Sequence, residues 1–110
     1  MKKALLTKLF YFSASFSRGR RVYGHNYTLS VTVRFSEKLD ETLMEKKIQK
    51  GLIHKIHSRD LGLDVPFLKK IPLTDYYLLK AFFKIISREI HPVRLHGLCL
   101  ERDSKTRLSL

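Results

Sequence analysis

The sequence predicts an α+β fold: a four-stranded antiparallel sheet, in chain order ββααββ, with two helices packed on one face. Three observations carry this expectation. Apolar and polar residues alternate near both ends of the chain, with the period of two that a half-buried strand requires. Two segments between them change to apolar spacings of three to five, the pattern of a helix that buries one face. The 110 residues, 44% hydrophobic and 29% charged, provide one small globular domain over residues 1–110 and leave no room for a second.

Leu6, Phe10, Phe12, Ala14 and Phe16 share one parity and predict the first strand over residues 4–16. The same stretch opens with Met1-Lys2-Lys3-Ala4-Leu5-Leu6, like the start of a signal peptide, and Ser13-Ala14-Ser15 resembles a cleavage site. Lys8 interrupts the apolar run and the aromatic residues make a poor hydrophobic region, so the strand reading prevails and a cytoplasmic location is expected. Tyr27, Leu29, Val31, Val33 and Phe35 alternate with polar residues to give the second strand. The Arg18–Tyr23 segment joins the two into a long hairpin.

Leu39, Leu43, Ile48, Leu52 and Ile56 define an amphipathic helix, capped by Asp40, with Glu41 and Glu45 suited to its positive N-terminal end. Gly51 inside this helix costs about 1 kcal/mol relative to Ala. Residues 59–73, with Gly62, Pro66 and Pro72, read as an irregular connection. Thr74 caps a second helix that runs through Leu78, Phe82, Ile85 and Ile86 and ends at His91-Pro92. Residues 93–101 and 105–110 form a closing hairpin around Asp103-Ser104. A four-stranded sheet has two open edges, and a homo-oligomer that continues the sheet between subunits would cover them.

Twenty-two Lys and Arg against ten Asp and Glu give a net charge of +12, which bears on partners rather than on fold. Arg18, Arg20 and Arg21 cluster between the first two strands and could hold a phosphate or a carboxylate. Lys46, Lys47, Lys50 and Lys55 form a basic helix face, which solvation explains without a partner; nucleic acid is a lesser possibility resting on charge alone. The single cysteine, Cys99, excludes an internal disulfide framework and reads as a small buried hydrophobe. No apolar run reaches the roughly 20 residues of a membrane span, so no membrane partner is expected. His54 and His57 lie three apart on the first helix, a metal-compatible spacing for which only His91, His96 or another subunit could supply a third ligand.

Phe12-Ser13-Ala14-Ser15-Phe16, Tyr23-Gly24-His25-Asn26-Tyr27, Leu61-Gly62-Leu63-Asp64-Val65-Pro66, Pro72-Leu73-Thr74-Asp75 and Leu100-Glu101 occur in that order. Together they resemble the 6-pyruvoyl tetrahydropterin synthase and 6-carboxytetrahydropterin synthase family. The resemblance implies the tunnelling fold, in which subunits pool their sheets into a barrel as a trimer or as a hexamer of two stacked trimers. It also implies a zinc ion held by three histidines, a pterin-like substrate anchored by a glutamate, and catalysis at subunit interfaces.

Carried over residue by residue, the resemblance predicts a degenerate member. Phe16 stands where the family has its first zinc histidine and Tyr23 where it has the second, leaving His25 as the remnant metal ligand. Gly19 occupies the position of the catalytic cysteine. Ile56-His57-Ser58 replaces a Leu-Asp-His relay, so no catalytic residue is assigned and His57 is the sole weak candidate. Glu101 matches the glutamate that grips the pterin ring, although Arg102 and Arg107 are available to pair with it. Thr74 matches a second substrate-binding position, while its capping role needs no ligand; Asp75, in place of the usual glutamate, suits a helix's first turn. The expected function is that of a pterin-synthase-like protein lacking zinc and lyase activity and keeping a pterin- or purine-like pocket. The alternatives are an active pterin lyase with an unusual metal arrangement and a basic RNA-binding module.

Overall fold

A computed structural model describes residues 4–18 and 21–110, the side chain of Arg18 excepted. The predicted long hairpin is present. Strand β1 (Leu5–Arg18) pairs antiparallel with β2 (Arg21–Arg34) along its whole length, from Leu5 opposite Arg34 to Arg18 opposite Arg21. Gly19, at the expected catalytic-cysteine position, and Arg20, of the expected arginine cluster, lie outside the described residues.

Alternation decides which face is buried. Phe10, Phe12 and Ala14 of β1 and Tyr27, Leu29, Val31 and Val33 of β2 are all buried on one face, and the residues between them are not. The helices cover this face. Helix α1 (Glu41–Ile48) starts at Asp40, whose Oδ1 accepts from Leu43 N at 2.9 Å, and contributes Met44 and Ile48 to the core. It runs without a break through a π-helical stretch (Gln49–Ile53) into the short α2 (His54–Ile56), adding Leu52, Ile53 and Ile56. Helix α3 (Asp75–Glu89) buries Leu78, Leu79, Phe82 and Ile86, and Phe82 meets Phe12 edge-on with ring centroids 6.0 Å apart. Each such fully buried Leu, Ile or Phe stabilises the fold by about 1.5–3 kcal/mol.

Three features depart from expectation. Gly51 is buried against α3, and a Cβ there would lie 2.7 Å from both Cγ and Cδ of Glu89. The residue that propensity alone marks as a weakness thus lies where the Glu89 side chain of α3 packs over this helix. The supposedly irregular connection contains strand β3 (Arg59–Asp60), which pairs parallel with Ala14 and Ser15 of β1, and a 3₁₀ turn (Pro66–Leu68). Asp60 holds this loop in place: Oδ1 accepts from Gly62 N and Leu63 N, and Oδ2 accepts from Ser17 Oγ at 2.9 Å. The sheet consequently has five strands, in the order β3-β1-β2-β4-β5, and is antiparallel except at β3.

Strands β4 (Leu95–Arg102) and β5 (Thr106–Ser109) form the closing hairpin. Its connection, Arg102 to Lys105, has positive φ at Asp103 (52°) and Ser104 (57°) and a 3.0 Å bond from Lys105 N to Arg102 O. Two consecutive left-handed residues match the twist of the flanking strands. Where β4 meets β2 the register shifts, Thr32 facing Gly97 and Val33 facing Leu95, so that His96 is the extra residue of a bulge.

Among the described residues no helix covers the second sheet face. Leu5, Leu9 and Tyr11 project from it at 50%, 51% and 66% exposure, which leaves an apolar row uncovered. Among the described residues nothing pairs with the outer edge of β1 over residues 5–12. No helix of the described residues is long and apolar enough to cross a membrane.

Candidate functional site

The β1–β2 register sets Phe16 opposite Tyr23, Ala14 opposite His25 and Phe12 opposite Tyr27, on the helix-covered face. The side chains form a continuous file of rings. Phe16 and Tyr23 stack with centroids 5.4 Å apart and planes 23° from parallel. Phe16 is 5.7 Å from His25, His25 is 5.9 Å from Tyr27, and Tyr27 stacks on Phe12 at 4.8 Å. Tyr23 lies at the exposed end of the file, and Phe12 and Tyr27 are buried at the other.

His25 is fixed within this file by Asp103. Its Nδ1 is 2.6 Å from Asp103 Oδ2, while Asp103 Oδ1 accepts from Asn26 N at 2.8 Å and Asp103 N donates to Asn26 O at 2.7 Å. The Asn26 amide, and after it the His25 ring, hold the Asp103 carboxyl below the usual carboxylate range by donating to its ionised form. The pairing ties the β4–β5 turn to the middle of β2.

These residues do not fit a zinc ion. Catalytic zinc takes three protein ligands and keeps a fourth position open. Of Phe16, Tyr23 and His25, where the resemblance implies three histidines, only His25 carries an imidazole, and with Nδ1 on Asp103 it offers a metal one nitrogen, Nε2. Phe16 has no lone pair to donate, and Tyr23 is stacked on it. Among the described residues no group of three or more His, Cys, Asp or Glu side chains is placed to hold a metal, including around His54, His57, His91 and His96.

Thr74 and Asp75 lie on the same side of the sheet as His25. Thr74 caps α3, its Oγ1 accepting from Tyr77 N at a long 3.5 Å. Asp75 Oδ2 accepts from Arg102 Nε at 3.1 Å. Burial, with the Asp75 charge second, pushes the Tyr27 hydroxyl up to about 12. Tyr27 therefore remains a neutral phenol over any physiological pH.

Glu101 is elsewhere. It faces Thr28 across the β2–β4 ladder, which puts it on the helix-free face, opposite to His25. Its Oε2 accepts from Arg107 Nη2 at 3.0 Å, and the two residues are cross-strand partners in β4 and β5. Arg102, the other pairing partner the sequence suggested, points to the opposite face, as a neighbour on a strand must. Cys99 is half-buried on the same helix-free face as Glu101, rather than fully buried as expected, because no helix covers that side.

His57 lies at the outer edge of β1, where its Nδ1 accepts from Ser13 N at 3.0 Å, so its proton is on Nε2. The ring there substitutes for a ladder partner beside β3. Within one chain, then, His25 and Thr74 share a side of the sheet, while Glu101 and His57 are each apart from them. Sequence reasoning missed Asp103, seen only as a turn residue. The preference of Asp for left-handed turn positions was a visible signal for the turn, but not for its hold on His25.

A five-stranded, mostly antiparallel sheet with helices on one face, opened by a hairpin of two 14-residue strands that carries His25, is the architecture of the tunnelling fold. Over 100% of this chain and 96% of the other, the structure matches 6-pyruvoyl tetrahydropterin synthase from Caenorhabditis elegans with a TM-score of 0.87 and 18% sequence identity. The chain thus has the fold of that synthase. No protein-family model matches the sequence, and no curated protein matches it.

Proposed function

We propose that the chain is a pterin-synthase-like protein that has given up zinc-dependent lyase chemistry and keeps a binding site for a flat pterin- or purine-like heterocycle. The observation that carries this reading is the set of residues at the three expected ligand positions: a stacked Phe16–Tyr23 pair and His25 as the single imidazole among them. Stacked rings offer a heterocycle a surface and offer a metal nothing. Glu101 anchors the ligand through its carboxylate, exchanging its exposed Arg107 partner for ring N–H donors. Because Glu101 and the ring file occupy opposite faces of one sheet, the site is completed between subunits of a homo-oligomer, a trimer or a hexamer. The unpaired edge of β1 and the uncovered row of Leu5, Leu9 and Tyr11 support assembly.

Elemental analysis of tag-free protein, run beside a fluorescence titration with biopterin and with guanosine, tests the reading. The expected result is far less than one zinc per chain, saturable binding of at least one heterocycle, and loss of about tenfold or more in affinity on Glu101→Gln, the scale of a charge-assisted pair. One zinc per chain that disappears on His25→Ala would restore the lyase reading. Metal-free protein that binds neither compound would overturn the heterocycle site.

A further inference from the structure

We propose that the end of the sheet remote from His25 carries a second binding site, for a phosphate monoester on a flat apolar body, held by Arg34 and Arg94. Arg34 ends β2 and Arg94 precedes β4; Arg34 N donates to Arg94 O at 3.0 Å, which sets the two residues side by side. Both line a groove of about 330 Å³ whose other walls include Phe35, Leu39, Pro92 and Val93. Both also line an adjoining hollow of about 300 Å³ together with His96. At the rise of a strand, the site is about 30 Å from His25 along β2, so it is separate from the heterocycle site.

Charge and shape point to the same class of ligand. Among the described residues no acidic side chain lines either hollow. The ion pairs among the described residues join Lys8 to Glu41 and Glu45, His25 to Asp103, Arg102 to Asp75 and Arg107 to Glu101, and none involves Arg34 or Arg94. Two arginines that line the same hollows with no carboxylate among the described lining residues raise a local positive potential that a phosphate neutralises, and their planar guanidinium forks match its oxygens. Phe35 is 43% exposed beside them and gives the floor an unused aromatic face. The bulge in β4 removes His96 from the regular ladder, and His96 lines the hollow. Bulges commonly re-aim a side chain next to a functional site. A concave groove of this volume with an apolar floor fits a small organic anion better than an RNA strand, which needs a long basic track.

The test is calorimetric titration of the full chain with 1-naphthyl phosphate, with inorganic phosphate and 1-naphthol as its two halves. The expected result is one saturable site per chain, with each half binding at least about tenfold more weakly than the whole. Arg34→Gln and Arg94→Gln should each weaken binding by about tenfold or more, while Lys84→Gln, an exposed lysine of α3, should change it by less than about twofold. Absence of saturable binding would overturn the proposal, as would an equal loss in Lys84→Gln. A single-stranded RNA that binds more tightly as it lengthens and is not displaced by naphthyl phosphate would also overturn it, by making the patch a polyanion surface.

Discussion

His25 shows how the neighbours of a single side chain decide what it engages. With Phe16 and Tyr23 beside it, the partner within reach is the carboxylate of Asp103, 78 residues away in sequence. The depressed Asp103 carboxyl stabilises the folded state fully above the ordinary aspartate range, and that contribution fades as pH falls through its lowered folded value. Asp103→Asn should therefore make the acid side of the stability curve shallower, measured by denaturant titration from neutral pH downwards. Tyr27 works at the other end of the scale. Its folded pKa of about 12 lies above the unfolded value of 10.0, so the unfolded state loses its proton first and stability declines as pH rises between the two. The loss is of the order of 3 kcal/mol. Tyr27→Phe should flatten the alkaline limb while leaving stability near neutrality almost unchanged, because no hydrogen bond of its hydroxyl is found among the described residues.

At the scale of elements, periodicity made the long ones legible and gave nothing for the short ones. The β1–β2 hairpin repeats its alternation many times, and both helix caps, Asp40 and Thr74, were readable because the residue and the change of period coincide. Strand β3 has two residues and no period, and what fixes it is the Asp60 side chain and the backbone of β1. Gly51 was readable as a glycine in a helix, but its neighbour, the Glu89 side chain of α3, was not. Gly51→Ala should stabilise the protein by up to about 1 kcal/mol, because helix propensity favours Ala and the flexible end of Glu89 can swing aside. The same change in a Glu89→Ala background should stabilise it slightly more. A thermodynamic cycle reads the difference as the cost of moving Glu89; a Gly51→Ala protein that is destabilised in both backgrounds would sink this account.

For the molecule as a whole, the architecture was accessible from sequence because patterning, caps and turn signals agree with one another. The candidate site was accessible only in part. Phe16, Tyr23 and His25 could be placed together from the hairpin register, whereas the separation of Glu101 from them depends on which face of β4 it occupies. That same face predicts assembly: sedimentation at micromolar concentration should give three or six times the chain mass, and a monomer would leave the apolar row of β1 unexplained. Leu9→Asp should shift the distribution towards the single chain, since it places a charge in that row.

Strand order also sets a schedule. Strand β2 is central, between β1 and β4, but β4 follows it only after α1, α2, β3 and α3 have been made. At common rates of synthesis the interval is roughly 3–12 s. During it the nascent chain presents an apolar-faced strand with one edge open, suited to pairing with the same strand of a neighbouring ribosome's product. Slow, dilute expression should thus yield more folded protein than rapid expression, and holdase chaperones should bind growing chains most strongly after β2 emerges and before β4 does.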